Sequence, residues 1–367
     1  MGKFKQAFRK LRDPRAANAQ HDLLEILVIA LAATLCGAQS AAEMALFGRS
    51  KQALLRQFLR LEHGIPSHDT FSRVFRLLNP AAFEHHFRRF MAAFVKANRQ
   101  PLSGVVAVDG KALRRAYERG CSATPMQMVN VFAAETRMAL AVRQAPGRNE
   151  ALGALEVLRM LCLKGCTVTA DALHCHRVFA ATVLDRGADY VLALKQNQSK
   201  LYAAVASRFA RKGVRRSAER LEPTTHDRRE WRRATVIRDS SLAAAKTFPG
   251  VVALGRITSR RRQLGGSATP PLVRYFLLSK YLSPRQLLLT VRSHWAIENQ
   301  LHWMLDVNFN EDACRARKDH APENLAILLR LAINFIRAHP EPISMRQKIK
   351  RAAWDDSFLL GLFRHMR

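Results

Sequence analysis

Two short apolar runs, each followed at once by an aspartate, constrain the fold of this chain more than any other feature. Residues 105–108 lead into Asp109, and residues 166–170 lead into Asp171. Both runs have the length and β-branched content of strands, and their nearly continuous apolar character predicts burial on both faces of a sheet. Because functional groups in open α/β sheets collect at the carboxyl ends of strands, we expect the two aspartates to lie close together.

A third carboxylate, Glu298, lies in a stretch with helical periodicity. Its neighbours three, four and seven positions away are mostly apolar: Val291, His294, Trp295, Leu301, His302 and Leu305. An isolated carboxylate on such a face is unfavourable, so Glu298 is expected either to form an ion pair with a cation such as Arg292 or a histidinium, or to join the two aspartates around a metal. Clustered carboxylates repel one another unless a divalent cation or a shared proton holds them together.

The charge balance indicates a polyanionic partner. Lys plus Arg number 60 against 29 Asp plus Glu, which gives a formal net charge of +31. This excess predicts salt-sensitive association with nucleic acid. An anionic membrane and structured RNA are weaker alternatives, because the sequence shows neither a long basic amphipathic helix nor an aromatic-rich RNA-recognition motif. Six scattered cysteines match neither a disulfide framework nor a common zinc spacing, which indicates reduced cytoplasmic thiols.

An apolar run at residues 23–32 follows a basic leader, a combination that is also typical of signal peptides. Glu25 interrupts the run, the leader is long, and the run falls short of the roughly 20 apolar residues that cross a bilayer. The sequence therefore favours a buried helix here, and no membrane partner is expected.

Hydrophobic periodicity separates an N-terminal part from a central one. Residues 1–98 have an all-helical pattern, with helices predicted from Leu23 and at 40–61, 70–78 and 81–97. Such a basic helical module either binds the DNA ends or supports the core or a dimer. Residues 99–210 alternate strands with helices, which predicts an α/β core with a mixed sheet. The predicted strands are 105–108, 126–134, 138–143, 167–170 and 190–194, and the predicted helices are 149–163, 177–185 and 199–210.

The separation of 127 positions between Asp171 and Glu298 exceeds what one strand and one helix need, so the core carries an insertion. We assign it to residues 211–282, with strand-like stretches at 232–238, 251–258 and 275–278. Residues 211–262 hold fifteen Lys or Arg against five Asp or Glu, and we expect this β-rich segment to lie along DNA; a merely solvated surface is the alternative. Residues 283–367 complete the chain with the glutamate helix and C-terminal helices at 323–338 and 344–365.

Several blocks in a fixed order resemble those of a known family. They read Gly-Ile-Pro-Ser-His-Asp-Thr-Phe at 64–71, Val-Asp-Gly-Lys at 108–111, Asp-Ala-Leu-His-Cys at 171–175, Arg-Ser-His-Trp-Ala-Ile-Glu-Asn at 292–299 and Ala-Pro-Glu-Asn-Leu-Ala-Ile-Leu at 321–328. On these blocks the chain resembles, almost from end to end, the DDE transposases of bacterial insertion sequences, and among them the H-repeat-associated group. It differs from larger relatives in holding Val291, His294 and Leu305 where they carry Tyr, Arg and Lys.

The resemblance implies a ribonuclease-H-like core in which Asp109, Asp171 and Glu298 bind two Mg²⁺ or Mn²⁺ ions, with Asp109 bridging both. Oxygen ligands suit these cations better than zinc. It also implies cleavage and transfer of double-stranded DNA at the terminal repeats of the element by an oligomer assembled on DNA, in the nucleoid of the bacterial cytoplasm. Two other functions stay open: a nuclease of the same fold that lacks strand transfer, and a catalytically silent DNA-binding protein derived from a transposase.

Basic and amide side chains near these acids are candidates for DNA contacts. They are Lys111, Arg114, Lys195, Asn197, Gln198, Arg228, Arg229, Arg232, Arg233, Arg292 and His294. Surface solvation or helix capping is the alternative for each, and His294 and His302 are equally compatible with a core position. Glu311 and Asp312 are expected to position the glutamate helix rather than to bind metal.

Overall fold

Nine strands in the described part of the chain form one mixed sheet. The computed structural model describes residues 2–97, 102–117, 125–210, 216–221, 228–244, 247–263 and 269–365. The strands are β1 (Gly104–Leu113), β2 (Met126–Ala133), β3 (Met138–Gln144), β4 (Cys166–Ala170), β5 (Asp189–Leu194), β6 (Arg216–Leu221), β7 (Arg228–Arg238), β8 (Ala253–Gln263) and β9 (Leu272–Leu278). Their order across the sheet is β3-β2-β1-β4-β5-β9-β8-β7-β6.

The two predicted aspartate-bearing strands are neighbours. β1 and β4 run parallel, and their pairing ends at Val108 opposite Ala170, one residue before each aspartate. β4 and β5 are also parallel, while the other pairs are antiparallel, so the prediction of a mixed sheet is confirmed.

β1 is longer than predicted. The predicted strand stopped at residue 108, but β1 continues to Leu113, because its other edge pairs with β2, where Asp109 lies opposite Asn130. Asp109 therefore lies within a strand and ends only the pairing with β4. The polar character of the residues after Val108 concealed this continuation.

The predicted insertion extends the sheet itself. β9 pairs with β5, with Leu277 opposite Leu192, and β8, β7 and β6 follow outward. The hairpin of β7 and β8 pairs over eleven residues in each strand. The basic segment is thus attached through backbone hydrogen bonds to the strand next to β4.

Helices α1 to α6 precede the sheet: α1 (Gly2–Phe8), α2 (Leu23–Leu35), α3 (Ala41–Ser50), α4 (Gln52–Leu55), α5 (His68–Leu77) and α6 (Pro80–Ala97). α2 is almost entirely buried, as the sequence predicted, and Asp22 caps its first turn. Glu25 is accommodated because its carboxylate accepts the backbone N–H of Arg60 at 2.6 Å. The predicted helix 40–61 is instead two shorter helices, since the backbone of Lys51 leaves the helical region at φ −112°.

Nine further helices are described in the remainder: α7 (Glu150–Arg159), α8 (Arg177–Asp185), α9 (Ser199–Ala210), α10 (Ser241–Ala244), α11 (Pro284–His294), α12 (Trp303–Phe309), α13 (Ala321–Ala338), α14 (Met345–Trp354) and α15 (Asp356–His365). α13 packs against both β3 and α2, so one hydrophobic core joins the N-terminal helices to the sheet. Within the described ranges, no helix combines the length and the apolar character needed to cross a membrane.

Candidate active site

The three predicted acids line one cavity of about 290 Å³. Asp109 comes from β1, Asp171 follows β4 directly, and Glu298 lies in a π-helical segment, Ile297–His302, before α12. The rest of the wall includes Lys195, Arg274, Phe276, His294 and Trp295. The fold thus places carboxylates from three separate parts of the chain on one cavity, and of these Asp109 and Glu298 lie within reach of one metal ion.

Asp109 and Glu298 lie close enough to bind the same metal ion. One potential ligand atom from each, together with one from His302, lies within 4.8 Å of the other two. The Nδ1 atom of His302 is 3.0 Å from Glu298 Oε2 and 3.8 Å from Asp109 Oδ2. The side chain of His302 is nearly buried, whereas that of Glu298 is 56% exposed. The imidazole therefore holds the glutamate over the strand that carries Asp109.

The π-helical geometry around Glu298 is a feature that the periodicity of the sequence does not reveal. A regular helix was predicted, but the Trp303 N–H donates to the carbonyl of Glu298 five residues back. One extra residue in the turn changes the direction of the following side chains, and such segments are frequent at functional sites. Here the π turn contains both Glu298 and His302.

Burial raises the pKa of the Asp109 carboxyl to about 6. The neighbouring His302 opposes this increase, whereas the negative charges of Glu150, Asp171 and Glu298 add to it. The hydrogen bond from His302 is the main reason that the pKa of Glu298 is lowered. Carboxylates gathered in this way repel one another, and their oxygens have the donor chemistry to hold a divalent cation.

His294 is a half-buried, neutral member of the wall. Its Nδ1 lies 3.1 Å from Thr169 Oγ1 on β4, and burial lowers the pKa of its imidazole to about 4. At neutral pH it therefore carries no positive charge for the predicted phosphate contact. The structure gives it a hydrogen bond that joins α11 to the strand leading to Asp171.

Lys111, predicted to contact DNA, is almost buried. Its Nζ atom lies 2.7 Å from Asp306 Oδ1 and 3.0 Å from Asp312 Oδ1. Arg114, in contrast, is 76% exposed and reaches Asp312 at 3.0 Å. The surroundings of Lys111 are thus acidic and internal, whereas Arg114 remains on the surface.

Lys195, Asn197 and Gln198, which follow β5 and were predicted to contact DNA, differ in their exposure and hydrogen bonds. Lys195 is exposed and lines the cavity. Asn197 donates through Nδ2 to the Ala172 carbonyl at 3.2 Å, and Gln198 donates through Nε2 to the Cys175 carbonyl. The two amides therefore hold the loop that follows Asp171.

A second cavity of about 700 Å³ adjoins the first, and Arg274 and Trp295 line both. Its wall also contains the arginines Arg137, Arg232, Arg261 and Arg292. Arg232 is paired with Glu230 at 3.0 Å. Of the other predicted contacts on β7, Arg229 and Arg233 are exposed, while the side chain of Arg228 lies outside the described residues.

Two residues that approach the acids, Glu150 and His174, were not among the predicted site residues. His174 lies three residues after Asp171, and its Nε2 is 3.0 Å from Glu150 Oε1. The spacing of His174 from the second aspartate was a signal that could have drawn attention to it. Nothing in the local pattern around Glu150 distinguishes it from an ordinary residue at the start of a helix.

Family models and individual relatives both match most of the chain. A family model described as "Transposase DDE domain" matches residues 100–335, and one described as "DDE_Tnp_1-associated" matches residues 5–91. The chain is 29% identical to the H repeat-associated putative transposase YhhI of Escherichia coli (strain K12), covering 94% of this chain and 93% of that protein. It is 38% identical to an uncharacterized protein in the dhlA 3'region of Xanthobacter autotrophicus, covering 71% and 90%.

The similarity to a solved structure is weaker than the sequence similarity to these relatives. A piggyBac transposase synaptic complex with hairpin DNA aligns over 98% of this chain and 77% of that one, with 13% identity and a TM-score of 0.45. This score is below the level that indicates a common fold.

Proposed function

The chain belongs to the transposase DDE domain family, and on that premise we propose that it cuts DNA at the terminal repeats of an insertion sequence and transfers the ends to target DNA. The observation that carries this proposal is the convergence of Asp109, Asp171 and Glu298 on one cavity. These are the residues that the sequence resemblance assigns to the catalytic triad.

The proposed core is ribonuclease-H-like. Its support is the run β3-β2-β1-β4-β5, in which an antiparallel meander adjoins two parallel strands. The proposed domains are residues 1–98, 99–210, 211–282 and 283–367, and the third of them continues the sheet through β9 and β5.

Asp109, Asp171 and Glu298 would hold two divalent cations, Mg²⁺ or Mn²⁺. When bound, such cations activate water and stabilise charge on the scissile phosphate and the leaving oxygen. The protein supplies the alignment, because His302 keeps the Glu298 carboxylate beside Asp109 while Thr169 and His294 connect α11 to β4.

The cavity of the acids and the adjoining arginine-lined cavity together form a basic cleft, which is the proposed path for DNA. Lys195 and Arg274 lie on the wall of the cavity that contains the acids, and the adjoining arginines continue the positive surface. Guanidinium groups suit phosphates because they can donate two parallel hydrogen bonds. Synapsis of two element ends would bring at least two copies together on DNA, and a nucleoid location follows as part of the same proposal.

A cleavage assay tests the function. Purified protein is incubated with a plasmid that carries the terminal repeats of the element, with Mg²⁺ or Mn²⁺ or with EDTA. We expect cuts at the repeat ends only with metal, and we expect Asp109→Asn to lose activity about a thousandfold or more. Full cleavage by Asp109→Asn rejects the proposal.

Precleaved ends separate the alternative functions. Strand joining to a target plasmid supports a transposase, whereas cutting without joining supports a nuclease. Repeat binding with no metal-dependent cutting by the wild-type protein supports a silent DNA-binding protein.

A further inference from the structure

A fourth carboxylate, that of Glu150, approaches the strand that carries Asp109. Glu150 is the first residue of α7, directly after the capping residue Asn149. A Cβ atom on Gly110 would lie 2.2 Å from Glu150 Cδ and 2.3 Å from its Oε2. Because Gly110 has no side chain, the Glu150 carboxylate can lie against β1 one residue from Asp109, and its negative charge is one of those that raise the pKa of the Asp109 carboxyl.

His174 contacts the same carboxylate. The imidazole is completely buried, its Nε2 lies 3.0 Å from Glu150 Oε1, and its ring stacks on Phe179. The backbone N–H of His174 donates to the carbonyl of Asp171 at 3.2 Å. A single buried residue thus connects Glu150 to the loop of the second acid. Among the described residues, the other ring nitrogen of His174 has no hydrogen-bond partner.

The charge environment of Glu150 distinguishes it from a structural acid. Glu156, two turns further along α7, pairs with Arg143 at 2.8 Å. Within the described ranges, Glu150 has no Lys or Arg at ion-pair distance, although its side chain is only 20% exposed. A mostly buried carboxylate next to other carboxylates is unfavourable unless a cation compensates for it.

We propose that Glu150 is a fourth metal-binding carboxylate of this site and that His174 is the residue that positions it. The proposal rests on the function proposed above and extends it. Four carboxylates carry the charge that balances two divalent cations, whereas three leave a net positive site. Carboxylate oxygens also suit Mg²⁺ and Mn²⁺, and a second residue that orients a ligand is common in metal sites.

Metal binding without DNA tests the proposal independently of catalysis. Mn²⁺ binding is measured by electron paramagnetic resonance of the free ion, and unfolding is followed by circular dichroism in EDTA. For Glu150→Gln we expect Mn²⁺ affinity to fall at least tenfold, or the stoichiometry to drop by one ion, with folding retained. Glu156→Gln on the same helix is the matched control and should bind Mn²⁺ as the wild-type protein does.

Two further variants keep the test decisive. If Glu150→Gln does not fold, Glu150→Asp retains the charge but withdraws the carboxylate by one methylene, and the same loss is expected. His174→Gln should weaken Mn²⁺ binding by a smaller factor, since its amide can still donate to Glu150.

The outcomes separate this inference from the function on which it rests. Wild-type Mn²⁺ affinity in the Glu150 variants, with loss of binding in Asp109→Asn, overturns the role of Glu150 and leaves the proposed triad intact. If the wild-type protein binds no Mn²⁺, or Asp109→Asn binds it unchanged, both proposals fail.

Discussion

Lys111 Nζ lies 2.7 Å from Asp306 Oδ1, and this ion pair joins the strand of Asp109 to the helix that follows Glu298. Lys111 is two residues beyond Asp109 in β1, and Asp306 belongs to α12, which continues from the π-helical segment. The lysine also contacts Asp312 at 3.0 Å. The relative position of the first and third acids therefore depends on a nearly buried cation.

We expect Lys111→Met to destabilise the protein by about 1–3 kcal/mol, because it leaves partly buried carboxylates without their cation. The measurement is the free energy of urea unfolding. Affinity for repeat DNA in EDTA should stay within about twofold, as Lys111 faces acids rather than solvent. Arg114→Gln, which removes an exposed charge beside the same Asp312, is the control and should cost less than about 1 kcal/mol. Unchanged stability with weakened DNA binding would instead identify Lys111 as a phosphate contact.

The raised pKa of Asp109 predicts a stability gain on its neutralisation. A carboxyl with a folded-state pKa of about 6 binds protons more tightly in the folded protein than in the unfolded chain, where an aspartate has its ordinary pKa of 3.8. Its contribution to stability is thus present below about pH 4 and is lost as the pH rises through 6. In EDTA at pH 7.5, we expect Asp109→Asn to be about 1–2 kcal/mol more stable than the wild-type protein. A less stable variant under these conditions contradicts the electrostatic account of this residue.

Metal affinity should follow the same titration. Protons compete with the cation for Asp109, so Mn²⁺ affinity should rise from pH 5 to pH 7 and level off above it. Isothermal titration calorimetry at four pH values between 5 and 8 measures this dependence. A flat profile across this range is the contrary result.

Arg274 lies between the cavity of the acids and the arginine-lined cavity. We expect Arg274→Gln to weaken binding to repeat DNA and to reduce the slope of log affinity against log salt by about one, because one phosphate contact is lost. Filter binding at several salt concentrations gives both quantities. Arg346→Gln, a change of the same type on the exposed surface of α14, should alter neither if the cleft is the DNA path.

Gly110→Ala tests the approach of Glu150 from the other side. The new methyl group would meet the Glu150 carboxyl at 2.2 Å, so the carboxylate must move away from β1. We expect the variant to lose Mn²⁺ affinity as Glu150→Gln does. Gly361→Ala in α15, where the nearest atom is His339 Nε2 at 3.7 Å, is the matched control and should bind Mn²⁺ normally. Equal Mn²⁺ binding by both alanine variants is the result that excludes this arrangement.

Local patterns predicted much of this architecture. The strands observed at Met126–Ala133 and Asp189–Leu194, and the helix Arg177–Asp185, lie within a residue of the predicted bounds. The pairing of the two aspartate-bearing strands was also predictable, because each apolar run ends in the same way and parallel strands place such ends side by side. These features depend on hydrophobic period and on residues that are close in the chain.

Only the tertiary structure decided the details of the site. The continuation of β1 past Asp109 depends on β2, and the surroundings of Lys111 depend on Asp306, far along the chain. The space that Gly110 leaves for Glu150 exists only because α7 begins beside β1. The sequence alone determined where most strands and helices lie and which acids follow the apolar runs of β1 and β4. It did not determine which charges meet, because burial and ion pairing arise between residues that only the folded chain brings into contact.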